Sequence, residues 1–349
     1  MPSLEQLSVL LVWTAVAIYA LAFIAYSWDL ASRSAKSLDS KDAAKVRELV
    51  GAGVASAAVA SADDLRREQD RAEAALKATP AERSRPVFAR IGTALTWLGF
   101  LFQVGGDVTR GIAAGRVPWA DMYEFALTGT MLMIGVYLIV LFRYDLRFLG
   151  AFITGLVVLL LGLSVMNFYV PITPLMDPLK SPWLVIHVFM ASLATAIFAL
   201  AFGLSVMQLL QQRREHKILQ AQLAGPDDAP VTVGWGFLRN LPSSDTLESL
   251  SYRFAIIGFI FWSFTLIAGS IWANYAWGRF WGFDTKEVWT FIIWVVYAGY
   301  IHARATRGWR GTRSAWLSII GFAAVMFNFT IVNLFFKGLH VYSGLTTSG

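Results

Sequence analysis

Eight stretches of this chain stay apolar for about 20 residues each, the length an α-helix needs to cross a bilayer. They lie near 7–27, 87–106, 124–142, 148–166, 183–209, 254–273, 287–303 and 315–336, and the seventh is the shortest. In hydrocarbon each backbone N–H and C=O must be satisfied within its own segment, so continuous apolar runs of this length fold as helices. The expected fold is an all-α integral membrane protein, a bundle of about eight transmembrane helices. Only 15% of the 349 residues are charged, against about 25% in soluble globular chains, which excludes a soluble enzyme. The organisation read from the pattern is an N-terminal transmembrane helix over 1–27, a charged loop over 28–86 and a transmembrane domain over 87–349. Residues 1–6 carry no basic residue and no small-residue cleavage site follows, so the first stretch is not expected to be a cleaved signal.

Basic residues orient such a bundle. With loops 28–86, 143–147, 210–253 and 304–314 on one side and Arg90 at its edge, that side holds 23 of the 29 Lys and Arg. The other side holds Arg110, Arg116, Lys180, Arg279, Lys286 and Lys337. The first side is expected to be cytoplasmic, with both termini outside the cell membrane. Segment 61–79 reads as a solvated helix that stops before Pro80, and GPDDAP at 225–230 as a turn-rich linker.

In this topology six of the 14 Trp fall at the outer surface: Trp119, Trp183, Trp272, Trp277, Trp281 and Trp289. An interfacial aromatic belt would decorate both leaflets and would not crowd four Trp into 272–289. A Trp-rich outer loop suits a flat apolar ligand. Within it, Gly278 and Gly282 permit tight turning. Asp284 and Glu287 have the spacing of a capping box that starts the seventh helix. Lys286 or Arg279 could face a ligand carboxylate, or simply be solvated.

The chain has four His and no Cys. Lack of Cys excludes disulfides, thiolate metal sites, a cysteine nucleophile and a covalently attached c-type haem of the chain's own. His187 lies one turn into the fifth stretch, with Trp183 four residues earlier on the same face. His340 follows the eighth stretch at the same depth. Two imidazoles at one depth, flanking a Trp-rich loop, suit axial ligation of a haem. His302 lies at the inner end of the seventh stretch, where an ionisable group is a functional candidate; the alternative is an interface residue beside Arg304. His216, in the basic run Arg213–Lys217, reads as solvated surface.

The segment Trp277–Glu287 resembles the tryptophan-rich "WWD" signature of haem-handling proteins, and the surrounding motifs resemble the CcsA/ResC family of cytochrome c biogenesis. Gly115, Pro118, Tyr123 and Glu124 match a Gly-x-x-Pro followed by Tyr-Glu, with Arg110 upstream. Trp183 and His187 match Trp-x-x-x-His. Leu250–Arg253 match Leu-Ser-Tyr-Arg, and Trp272–Asn274 match Trp-Ala-Asn. Gly308–Gly311 and Gly338–His340 match Gly-Trp-Arg-Gly and Gly-Leu-His. The likeness covers roughly 97–344. Two positions depart from it: Phe283 stands where the signature usually has Trp, and Thr285 where it usually has Pro. Phe283 keeps an aromatic face without an indole N–H.

The resemblance implies a haem lyase reaction. Haem b, bound non-covalently, would cross the membrane and be held at the outer face by His187 and His340. Thioether bonds would then form to the Cys-x-x-Cys-His motif of an apocytochrome c. Trp119, Trp183, Trp272, Trp277, Trp281, Phe283, Asp284 and Trp289 would line the haem site, with Arg110, Arg116 and Arg279 for the propionates. His302 would handle haem earlier, on the inner side. It lacks a second His at its depth in this chain, so a ResB-type membrane partner is expected to supply one. Thiol-reducing proteins and membrane lipid are further expected partners, and nucleic acid is not. The alternatives are a haem transporter or delivery subunit without lyase chemistry, as in CcmC-like relatives, and a b-type electron-transfer cytochrome. The topology is directly testable: a periplasm-active reporter fused after Gly349 should be active and one inserted near 228 inactive, and the opposite pattern would refute the orientation.

Overall fold

A computed structural model describes residues 2–36, 87–224, 237–238, 241–306, 308–336 and 338–339. The segment 61–79, the linker 225–230 and His340 lie outside the described residues. Among the described residues there are eight long helices: α1 (Leu4–Lys36), α2 (Val87–Ala114), α3 (Met122–Leu141), α4 (Gly150–Asn167), α5 (Pro182–Ala224), α6 (Ser244–Trp277), α7 (Thr285–Thr306) and α8 (Thr312–Phe329). A short α9 (Ile331–Phe335) follows, and 3-10 turns span Arg147–Leu149 and Asp177–Leu179.

Seven of the eight are both long and apolar enough to cross a membrane. The exception is α7, which sequence counted as an eighth span. At 22 residues it is long enough, at about 1.5 Å per residue. It begins Thr285-Lys286-Glu287 and ends around His302 and Arg304, and these polar ends dilute its apolar middle. It packs between α6 and α8. The helices also outrun the apolar stretches. α5 continues from 209 to Ala224 through Arg213–Lys217, because Arg, Lys, Glu and Gln are good helix formers whatever their hydropathy.

Helices in lipid gain little from excluding water, so packing and internal polar contacts hold them together. Tyr19 and Tyr26 of α1 lie against Gly99 and Gly92 of α2, and Tyr19 Oη donates to Gln103 Oε1 at 2.8 Å. Phe198 of α5 stacks on Tyr297 of α7 with centroids 3.7 Å apart, and Phe202 on Phe322 of α8 at 4.7 Å. Each such pair adds about 0.5–1.5 kcal/mol beyond its buried area.

Two carboxylates tie the helix ends. Glu124, at the start of α3, is wholly buried. It accepts from Arg110 Nε at 2.9 Å, from both terminal nitrogens of Arg116 and from the Ala120 N–H at 2.9 Å. Arg110 also reaches the Val170 carbonyl at 2.8 Å and Glu5 at 3.4 Å. One cluster thereby joins the start of α1, the end of α2, the start of α3 and the segment after α4. At the opposite end Glu248 accepts from Arg304 Nε at 3.1 Å and from the Gly311 N–H at 2.7 Å, which joins α6, α7 and the turn before α8. The helices therefore alternate in direction. Glu124→Ala would leave the Arg110 guanidinium buried without its main counter-charge, at a cost of about 3–5 kcal/mol. Thermal unfolding in detergent should show a large fall in midpoint, whereas a change at exposed Arg90 should leave it unmoved.

Candidate functional site

The helix ends gathered by Glu124 carry the Trp-rich loop. α6 ends at Gly278, which is left-handed (φ 70) and donates its N–H to the Asn274 carbonyl at 2.9 Å. Glycine takes that conformation without a Cβ clash. The loop then folds around Glu287, the third buried Glu among the described residues. Its carboxylate accepts from the Gly282 N–H at 2.8 Å, the Asp284 N–H at 3.2 Å and Arg279 Nη1 at 3.1 Å. The bond to Asp284 N–H is one arm of the capping box expected from sequence. Asp284 uses its own carboxylate differently: Oδ1 accepts from the Leu339 N–H at 3.2 Å. Asp284 thus holds the chain immediately before His340 at the loop. Phe283 is left-handed (φ 58), a conformation that costs a non-glycine residue about 1–2 kcal/mol. It is 79% exposed and meets Trp281 edge-on.

Of the expected tryptophans, four converge. Trp119, Trp183 and Trp277 pack on a small core of Leu179, Leu184, Val188 and Trp272. Trp272 is almost wholly buried and its indole N–H donates to the Pro178 carbonyl at 2.9 Å, so it pins the 3-10 turn. Trp289 instead packs on Phe327, at 4.4 Å, in the α7–α8 contact. Trp281 lines a cavity of about 60 Å³ together with His187, Phe280, Lys286 and Glu287.

His187 sits in the second turn of α5. Its ring stacks on Trp272, with centroids 5.8 Å apart and planes within 19°. Nδ1 lies 2.9 Å from the Thr265 carbonyl oxygen. A carbonyl only accepts, so Nδ1 carries a proton, which in the neutral ring makes Nε2 the lone-pair nitrogen. A second hydrogen bond that fixes tautomer and ring direction is the usual support of a metal-ligating His. Gly269 makes room for the ring: a Cβ there would stand 2.6 Å from His187 Cε1. His187 also lines a second cavity, of about 110 Å³, with Phe125, Lys286, Thr290, Asn328 and Phe329.

The other expected site residues are placed apart or spoken for. Arg110 is fully buried, and with Arg116 it is matched to Glu124. Arg279 is matched to Glu287. Asp121 caps α3 by accepting from the Glu124 N–H at 2.8 Å. Burial, and then repulsion from Glu124, push its carboxyl up to about 6. His302 lies at the other end of the bundle, near Arg304, and its side chain is exposed. His216 is exposed too, but it lines a cavity of about 410 Å³ with Arg213, Arg214, Lys217, Leu238 and Trp316, which its reading as plain solvated surface missed. Sequence also overlooked Glu248. Its one signal was an acidic residue at the edge of an apolar run.

Comparison with known proteins bears on this arrangement. The family model described as Cytochrome C assembly protein matches residues 119–340, well over half of the chain. The chain belongs to this family. It is 32% identical over 267 residues to the cytochrome c biogenesis protein CcsA of Trieres chinensis, covering 70% of this chain and 83% of that one. It is 33% identical over 250 residues to the CcsA of Guillardia theta, covering 68% and 80%. The CcsA of Synechococcus sp. (strain CC9902) is 37% identical over 176 residues, 48% of this chain and 58% of that one. Among solved structures, "Cytochrome c Heme Lyase CcmF" superposes with a TM-score of 0.57 at 15% identity, over 94% of this chain. The chain spans about half of that protein, 47% of its length, and the likeness is one of fold. This family member is thus a multi-pass membrane protein of cytochrome c biogenesis, and the matched region holds Glu124, His187 and the whole Trp-rich loop.

Glu287 is the residue on which the loop depends. Glu287→Ala removes the acceptor of three donors and should cost about 1–3 kcal/mol. Limited proteolysis should then cut between 278 and 284 at a rate well above wild type, while the helices stay intact. Equal cleavage rates would show that the loop is held otherwise.

Proposed function

We propose that the protein is the haem-handling subunit of a cytochrome c synthase, which receives haem through the membrane and presents it at the Trp-loop end, facing outward, for thioether attachment to apocytochrome c. The observation that carries this reading is the His187 imidazole. It is fixed by Thr265 and Trp272, with Nε2 as the lone-pair nitrogen, beside a loop of aromatic rings. His340, outside the described residues, would be the second axial ligand by the resemblance to the family. The cavities at His187 are far smaller than the 300 Å³ or more that a drug-sized ligand fills. A haem would therefore send one edge into them and lie with its face against the aromatic loop.

In the reaction a cysteine thiol adds across a haem vinyl. The sulfur bonds to one vinyl carbon, the thiol proton ends on the other, and nothing is oxidised or reduced. Holding the vinyl and thiol in line is the protein's contribution, and such alignment is worth several kcal/mol. The chain has no Cys, so keeping the substrate thiols reduced falls to other proteins. The exposed position of His302 supports a haem contact shared with a second membrane protein of the ResB type. A fold shared with a protein named as a cytochrome c haem lyase favours lyase over simple delivery.

Purified with its membrane partner, the wild-type protein should carry haem with a bis-imidazole absorption spectrum. His187→Gly and His340→Gly should each lose most of that haem and most holocytochrome c formation, and added imidazole should restore part of both. Undiminished haem and cytochrome in both variants would remove the ligand assignment.

A further inference from the structure

Among the described residues the loop end of the bundle has five cations that a ligand carboxylate could use, and the structure separates them; exposed Lys180 is paired with Asp177. Arg110 and Arg116 are matched to Glu124, and Arg279 to Glu287. Lys286 differs. Its ammonium donates to the Asn333 side-chain carbonyl, a neutral acceptor. Among the described residues it takes part in no ion pair. Two carboxylates stand near it in sequence; Asp284 acts on its charge only from beyond ion-pair distance, and both have closer partners. Asp284 accepts from Leu339, and Glu287 is matched by Arg279 and two backbone N–H groups.

Lys286 lines both cavities that His187 lines. The larger also holds Asn328, which is 5% exposed and whose Oδ1 is buried without a hydrogen-bond partner among the described residues. Half a turn of that amide would offer its NH₂ to the cavity instead, an exchange that costs only the 3.4 Å contact to Thr290. A cation at an apolar cavity without a counter-ion in direct contact is unfavourable. A carboxylate entering the cavity relieves it and gains a charge-assisted hydrogen bond.

We propose that Lys286 is the counter-cation for a carboxylate of the molecule that His187 ligates, one propionate of haem, with Asn328 as a second donor. This rests on the reading of His187 as a haem ligand. The iron and one propionate are then read by two side chains on the same cavity walls. The site therefore selects a porphyrin that carries free carboxylates and sets which edge of the ring enters.

The test is a binding titration on the full-length protein in nanodiscs, with haem and with haem dimethyl ester, which keeps the iron and loses the carboxylate charge. Wild type should bind haem more tightly than the ester, by about tenfold or more, the range for hydrogen bonds to charged groups. Lys286→Met should lose that preference by weakening haem and leaving the ester within about twofold, while Lys286→Arg should keep most of it. The apo form of Lys286→Met should melt no lower than wild type, because it removes a cation that has no ion-pair partner in contact. Equal wild-type affinity for the two ligands, or equal weakening of both in Lys286→Met, would overturn the propionate assignment. His187→Gly should weaken both ligands alike, and if it weakens neither, the underlying haem reading fails instead.

Discussion

A charge inside a helical bundle in a membrane has to meet its opposite, because neither lipid nor apolar side chains solvate it. Glu124 and Arg110 meet this condition for the loop end, both side chains fully buried and 2.9 Å apart. Their remaining lone pairs and N–H groups are taken by Arg116, the Ala120 N–H, Glu5 and the Val170 carbonyl. One ion pair thereby sets the relative height of four chain segments. The turn it anchors carries Trp119 into the small core around Trp272, and Trp272 in turn carries the stacked ring of His187. The imidazole is therefore placed by a chain of contacts that begins at a buried carboxylate.

The same device recurs with Glu248 and Glu287. A carboxylate has acceptor capacity for several donors, so a buried Glu can gather backbone N–H groups from a loop together with one Arg. Glu248 does this at the opposite end for the turn before α8. Glu287 does it for the Trp-rich loop, with a difference: its partner Arg279 is about one-third exposed, against complete burial for Arg110. Beside it Phe283 stands exposed in a left-handed conformation, the kind of local strain that gathers at functional sites. The frame is built from more deeply enclosed ion pairs than the site.

Much of this was legible in the sequence. Long apolar runs called for helices, and one expected span, α7, has a less apolar membrane-length stretch than the other seven because its ends carry Lys286, Glu287 and Arg304. The gathering of Trp119, Trp183, Trp272 and Trp277 at one end followed from their positions relative to those runs. Their separate tasks did not. Whether an indole becomes a core pin, as in Trp272, or a helix contact, as in Trp289, depends on the helix that stands opposite, and spacing along one helix does not encode that. The arginines were misjudged for the same reason. Arg110, Arg116 and Arg279 look like free cations at an outer surface until Glu124 and Glu287 come up against them, and Lys286 then remains as the one facing a cavity.

By itself the sequence determined the class of fold, the end at which the aromatic residues and His187 gather, and the family to which the chain belongs. Hydrocarbon leaves few alternatives to a helix, and apolar length is a local property that can be read along the chain. Only the tertiary structure decided which charges satisfy one another, which nitrogen of His187 holds the proton, and which cation faces the cavity. Those outcomes turn on groups from distant segments meeting within about 3 Å, and no local pattern records such a meeting.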